Sequence, residues 1–271
     1  MITTTGNPAI QKVDQFLNPA GHGDWAQHVA APRVMTYQGA IINTAILLGL
    51  TVGTATLLWS LAVDGAWLPL LAGGGIVGLI LAIVLLFKPQ LSPFIAPVYA
   101  IAEGAFLAGV SYFWVSWASD AQASAAAGGG GAAAQLDTTL IAQASGLTFS
   151  IAAVMLGLYA TRIIRATPLV VRMILVATGG VCLFWIASVV LGFMGVQLVS
   201  WDGGPLSIAI SGAIVLIAAF NLIIDFKIVE DGVNNKAPKW MEWYAGFALL
   251  VTIVWLYMSI LRLLALLRGG D

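Results

Sequence analysis

Three carboxylates, Glu103, Asp225 and Glu242, stand inside or at the rims of long apolar runs. A charge at the centre of a membrane helix costs on the order of 2.5–3.5 kcal/mol, so a carboxylate persists there only where it faces a bundle interior or a cavity. The chemistry open to such groups is proton exchange and cation passage. Glu103, in YAIAEGAFLAG, lies eight residues past Ile95, about 12 Å into its helix at the helical rise. That depth is beyond ordinary snorkelling for a short side chain, which leaves a neutral or paired group. An ion-pathway role and an interhelical hydrogen bond both fit it.

Asp225 closes the apolar run Leu206–Asp225 and opens into FKIVED. Counted from Pro205 it stands about 30 Å along its helix, near the cytoplasmic interface, where a solvated end is one reading. The helix face offers another. At 100° per residue Ser207, Ser211, Asn221 and Asp225 fall within about 40° of one line, with Ile214 and Ala218 between the polar ends. A polar stripe with an apolar middle has the form of a gated water path, and chance alignment of two serines has the same pattern. Asn221, four residues before Asp225, is expected to hydrogen-bond it. Glu242 opens the last helix beside Trp240 and Trp243, where a carboxylate suits a helix N-terminus. Arg262, near the far end of that helix, is expected to snorkel. Glu230, Asp231, Lys236 and Lys239 read as a solvated turn.

The elements that hold these residues follow from composition. Of 271 residues, 60% are hydrophobic and 8% charged, against roughly a quarter charged in soluble domains. Mean hydropathy is +0.97. So few charges cannot cover a water-facing surface, and the partner implied is the lipid bilayer. A net charge of −1 provides no basic field for nucleic acid. The single cysteine, Cys182, allows no intramolecular disulfide. His22 and His28 have no cysteine nearby, so no metal-ligand set is defined and no cofactor is expected. The segment MITTTGNPAIQKVDQF lacks the pattern of a cleaved signal peptide; Ile10, Val13, Phe16 and Leu17 fall at helical spacing, as an interfacial or docking helix would have them. HExxH, GxSxG and Walker signatures are missing, and catalysis is not expected.

A hydrocarbon core about 30 Å thick takes about 20 apolar residues. Seven segments meet that length: Gly39–Leu61, Leu68–Phe87, Ile95–Trp117, Thr138–Thr161, Leu169–Met194, Leu206–Ile228 and Trp240–Leu264. Each must satisfy its backbone internally, so the fold class is an all-α integral membrane bundle of seven transmembrane helices. Residues 1–36 form a cytoplasmic N-terminal segment and 37–267 the membrane domain. Nine of the eleven basic residues fall on one side if the N-terminus is cytoplasmic, and only Arg262 and Arg268 fall on the other. The low-complexity stretch 118–137, ASDAQASAAAGGGGAAAQLD, is expected to be a flexible outer loop. Small residues four apart, Gly49/Gly53, Gly74/Gly78 and Ala105/Gly109, suit close helix contacts.

Three blocks carry a family likeness: RVMTYQGAIINTAILL, FKPQLSPFIAPVYAIAEGAFLAG and FNLIIDFKIVEDG…APKWMEWYAGFALLVTIVWLYMSILRLL. With NPAI near the start, they resemble the bacterial YccA-like branch of the Bax-inhibitor (TMBIM) family. The resemblance runs from about Asn7 to Leu267, with the Ala/Gly stretch as an insertion. It implies a bundle whose last helix is surrounded by the other six. It also implies residence in the bacterial inner membrane and a pH-sensitive calcium leak sensed by two aspartates, one on the sixth helix and one on the seventh. Asp225 matches the sixth-helix aspartate and Glu103 the glutamate of the family's third-helix EG motif. Thr252 stands where the seventh-helix aspartate would be, so the two-aspartate switch is incomplete here. Glu103 or Glu242 substitutes only if the fold brings it to Asp225. Two functions follow as expectations. One is a leak for calcium or protons lined by Asp225 and Glu103. The other is a non-channel protein that modulates a membrane protease or serves as an accessory subunit of a larger membrane complex.

Overall fold

The computed structural model describes residues 34–126, 136–164, 166–196 and 204–269. Residues 1–33, with His22, His28 and the expected helix at Ile10–Leu17, lie outside the described residues, as do 127–135 of the Ala/Gly stretch. Seven helices are long and apolar enough to cross a membrane. They are α1 (Tyr37–Leu57), α2 (Trp67–Phe87), α3 (Ser92–Ala126), α4 (Thr139–Ala160), α5 (Pro168–Phe193), α6 (Pro205–Asn234) and α7 (Met241–Gly269). No strand occurs among the described residues beyond isolated bridges.

Local chemistry sets several boundaries. Thr36 caps α1, its hydroxyl accepting from Gly39 N at 3.0 Å. Proline occupies the first turn of α5 and of α6, where its missing N–H has no helical partner to lose. Between α1 and α2 the chain turns through Trp59–Leu61 and the wide turn Ala62–Ala66. There Gly65 takes φ 105°, a conformation that side chains strongly disfavour.

Two boundaries differ from expectation. Helix α3 continues through Ala126, so residues 118–126 are helical rather than loop. The run ASDAQASAA precedes the four glycines and is rich in alanine, the best helix former. Helix α6 runs on to Asn234, which makes Glu230 and Asp231 helical residues rather than parts of a solvated turn. Tyr159 donates to Glu230, and Lys227 bridges Asp231 at 2.8 Å.

The last helix is central. Within its most apolar stretch 67% of α7 is buried, against 6% for α5. Its principal neighbours are α6, α3, α1 and α4, while α2 packs mainly on α3, and α5 on α6. Lipid is as apolar as leucine, so close backbone approach rather than water exclusion holds such helices together. Gly104 shows how tight that approach is: a Cβ built there would stand 2.5 Å from Thr51 O. Gly74 and Gly109 press on neighbouring backbone in the same way, but Gly49 and Gly53 meet nothing within 4 Å. At the end of the bundle opposite most of the basic residues, Arg268 bridges Asp137 and donates to Gln143 Oε1 at 2.9 Å.

Candidate functional site

Asp225 is buried, at 7% exposure. Because α6 extends nine residues beyond it, the carboxyl stands about 13 Å from the helix end rather than at its rim. The hydroxyl of Thr252, on α7, is its polar neighbour. Its Oδ2 is buried with no hydrogen-bond partner among the described residues. An orphaned carboxyl oxygen is costly in a medium of low dielectric. Such an arrangement persists where the group has work beyond packing, or where a second arrangement of the helices satisfies it.

The stripe that leads to Asp225 is packed shut. Ser207 and Ser211 are 2% and 0% exposed, and their hydroxyls donate to Gly204 O and Ser207 O at 2.8 and 2.7 Å. Ile214 and Ala218 are buried between them. Their hydrogen bonds are spent on their own helix and almost no surface of theirs is open to water. Asn221 departs from expectation: it donates to Thr178 Oγ1 on α5 and to Ile217 O, both at 2.8 Å. It ties the poorly buried α5 to α6.

Glu103 occupies another place. It is 8% exposed, has the Tyr99 hydroxyl one turn earlier as its polar neighbour, and lies against α2, where a Cβ at Gly78 would stand 3.3 Å from its Oε2. The Tyr99 ring meets Phe247 of α7 edge-on at 4.9 Å. Phe247, Leu250 and Val254 form the α7 side of that cluster. Thr252 lies about 140–160° round the helix from them. Glu103 and Asp225 therefore sit on opposite sides of α7, and the fold does not bring them together.

Glu242 is a staple. At 2% exposure, its Oε1 accepts from Thr36 N and Thr36 Oγ1, both at 2.9 Å, and from Lys239 Nζ at 2.8 Å. The N-termini of α1 and α7 are joined through one oxygen, and the carboxylate is committed there rather than to Asp225. Replacing it with alanine strands the Thr36 donors, while half-exposed Lys239 turns to water. The expected loss is about 1–3 kcal/mol, read as a lower unfolding temperature in detergent, with Glu242→Gln losing less because its amide oxygen still accepts from Thr36.

Arg262 does not snorkel. It is 4% exposed, with its guanidinium 5.1 Å from the centre of the Trp185 ring, a cation–π position. Of the partners found here, two were visible as spacing: Tyr99 stands four residues before Glu103, and Lys239 three before Glu242. Thr178, Thr36 and Trp185 come from distant parts of the chain, and no local pattern marks them. Among the described residues no group of three or more histidine, cysteine or acidic side chains could hold a metal ion.

These features define a polytopic, all-helical membrane protein wrapped round its seventh span, with buried carboxyls on two sides of that span. Comparison with protein families gives a match over residues 6–269 to the family described as Bax inhibitor 1 like, and the chain belongs to it. No curated protein and no solved structure matches.

Proposed function

We propose that this protein is a cation leak held closed, with the contact of Asp225 and Thr252 between α6 and α7 as its gate. The observation that carries this reading is the buried, unpartnered Oδ2 of Asp225. A neutral carboxyl can rest in that contact, whereas an ionised one demands water and a counter-ion, and admitting them parts the two helices. Asp225 and Thr252 supply far fewer than the six to eight oxygens of a resident calcium site, so calcium or a proton would pass this point rather than stay. The protein is then a bacterial inner-membrane protein of the YccA-like branch, with its basic end in the cytoplasm. Glu103 has a structural role in this reading, as the polar filling between α2 and α3. Calcium and proton flux into proteoliposomes, compared between the native chain and Asp225→Asn, tests it.

A second reading is favoured by one observation. Helix α5 buries only 6% of its apolar stretch, which leaves most of a span free to meet another membrane protein. In that case the protein modulates a membrane protease or serves a larger complex, and conducts nothing. Crosslinking in native membranes from positions on α5 separates the two: a stoichiometric crosslinked partner without flux supports the second reading, and flux without a partner the first.

A further inference from the structure

Between α1 and α4 the bundle is open, and α6 and α7 form the floor of the gap. Two cavities occupy it, of about 380 Å³ and about 800 Å³, and both are lined by Leu48, Phe149 and Ile253. The larger lies within the ~300–1,000 Å³ of small-ligand sites. This groove is not a water path, because its rim faces the hydrocarbon: Ile41, Phe149 and Leu156 are 67%, 50% and 50% exposed. Acyl chains fill such an opening.

The same cavity changes character at one end. Its middle is made by apolar side chains such as Leu222, Phe226 and Leu249, and its mouth by Arg162, Lys227, Glu230, Tyr37 and Tyr159. Those mouth residues stand where α4 ends, at the level of lipid headgroups. The acidic groups there are already engaged: Glu230 accepts from Tyr159 and Asp231 from Lys227. Lys227 keeps further N–H groups, and among the described residues no ion pair engages Arg162. The Arg162 backbone is left-handed, at φ 57°. It follows the last turn of α4, with Arg162 N donating to Tyr159 O at 3.0 Å. A cationic mouth at headgroup depth, continuous with an apolar groove at chain depth, matches the two halves of a phospholipid.

We infer that the α1–α4 groove is a binding site for an anionic phospholipid, with its phosphate at Arg162 and Lys227 and an acyl chain along Leu156 and Leu249. Basic pockets between membrane helices recognise such headgroups. The site goes beyond the leak reading and stands without it, since neither Asp225 nor Thr252 lines the groove.

Native mass spectrometry of the full chain in mild detergent, titrated with phosphatidylglycerol and with phosphatidylcholine, tests the assignment. One phosphatidylglycerol is expected per protein, with a preference of about tenfold over phosphatidylcholine. Arg162→Gln with Lys227→Gln should erase the preference, and Arg162→Lys with Lys227→Arg should keep it, which separates lost charge from lost folding. Ala45→Trp, which fills the groove at an exposed alanine, should block both lipids. A phosphatidylglycerol with a photoreactive acyl chain should label Leu156 or Leu249 in the native chain. Equal binding of the two lipids, a preference that survives the glutamine pair, or labelling only outside the groove each overturns the assignment.

Discussion

Asparagine at position 225 is expected to cut calcium or proton flux in proteoliposomes by at least about tenfold, with the fold unchanged. The side chain keeps its shape and its place beside Thr252 but cannot ionise. An ionised carboxylate at this depth costs about 2.5–3.5 kcal/mol, and each 1.4 kcal/mol is a factor of ten in an equilibrium. If charge on Asp225 is what opens the α6–α7 contact, its removal withdraws more than a decade of open population. Glu103→Gln, on the far side of α7, should leave flux within about a factor of two, a change worth only about 0.4 kcal/mol. Flux in Asp225→Asn equal to that of the native chain would remove the carboxyl from the pathway. A loss in Glu103→Gln as large as that in Asp225→Asn would show that the two sides of α7 act together.

Valine at position 104 should cost about 3 kcal/mol of stability or more, at the upper end of what overpacking does. The built Cβ lies 2.5 Å from Thr51 O, 2.7 Å from Thr54 Cβ and 3.2 Å from Ala55 N. Two of those three atoms are backbone, so no side chain can step aside and α1 must move off α3. The Thr51 hydroxyl, which donates to Ala100 O at 3.0 Å, moves with it. Gly49→Val, on α1 where nothing lies within 4 Å, is the paired control and should change stability by less than about 0.5 kcal/mol. Unfolding in mixed micelles measures both. Similar losses for the two substitutions would refute the argument from close approach.

The seven spans were legible because hydropathy and length reflect the solvent, and the solvent is lipid; the central last helix was implied by the family resemblance. The inward faces were not legible. A count of about 30 Å from Pro205 puts Asp225 near a rim, yet the backbone keeps its helix to Asn234 and the bundle covers it. Asn221 illustrates the limit of local reasoning. Spacing of four made Asp225 a geometric candidate, but the amide turned to Thr178, 43 residues away in sequence. Arg262 has the composition of an interfacial arginine, and only the packing of the bundle, with Trp185 of α5 near its guanidinium, makes it an interior one. Thr252 neighbours Asp225 across the α6–α7 contact, a juxtaposition that no local spacing marks.

The place of α7 has a consequence for how the bundle comes into being. The helix that α1, α3, α4 and α6 pack around is synthesised after all six others, so until it emerges those spans lie in the bilayer around an unfilled axis. Glu242 reaches back across 206 residues to Thr36, and that contact cannot form until nearly the whole chain exists. Assembly is thus post-insertional, with a closing step of long sequence separation and correspondingly slow. Until that step the faces of α1, α3, α4 and α6 that pack on α7 are open to any neighbouring helix.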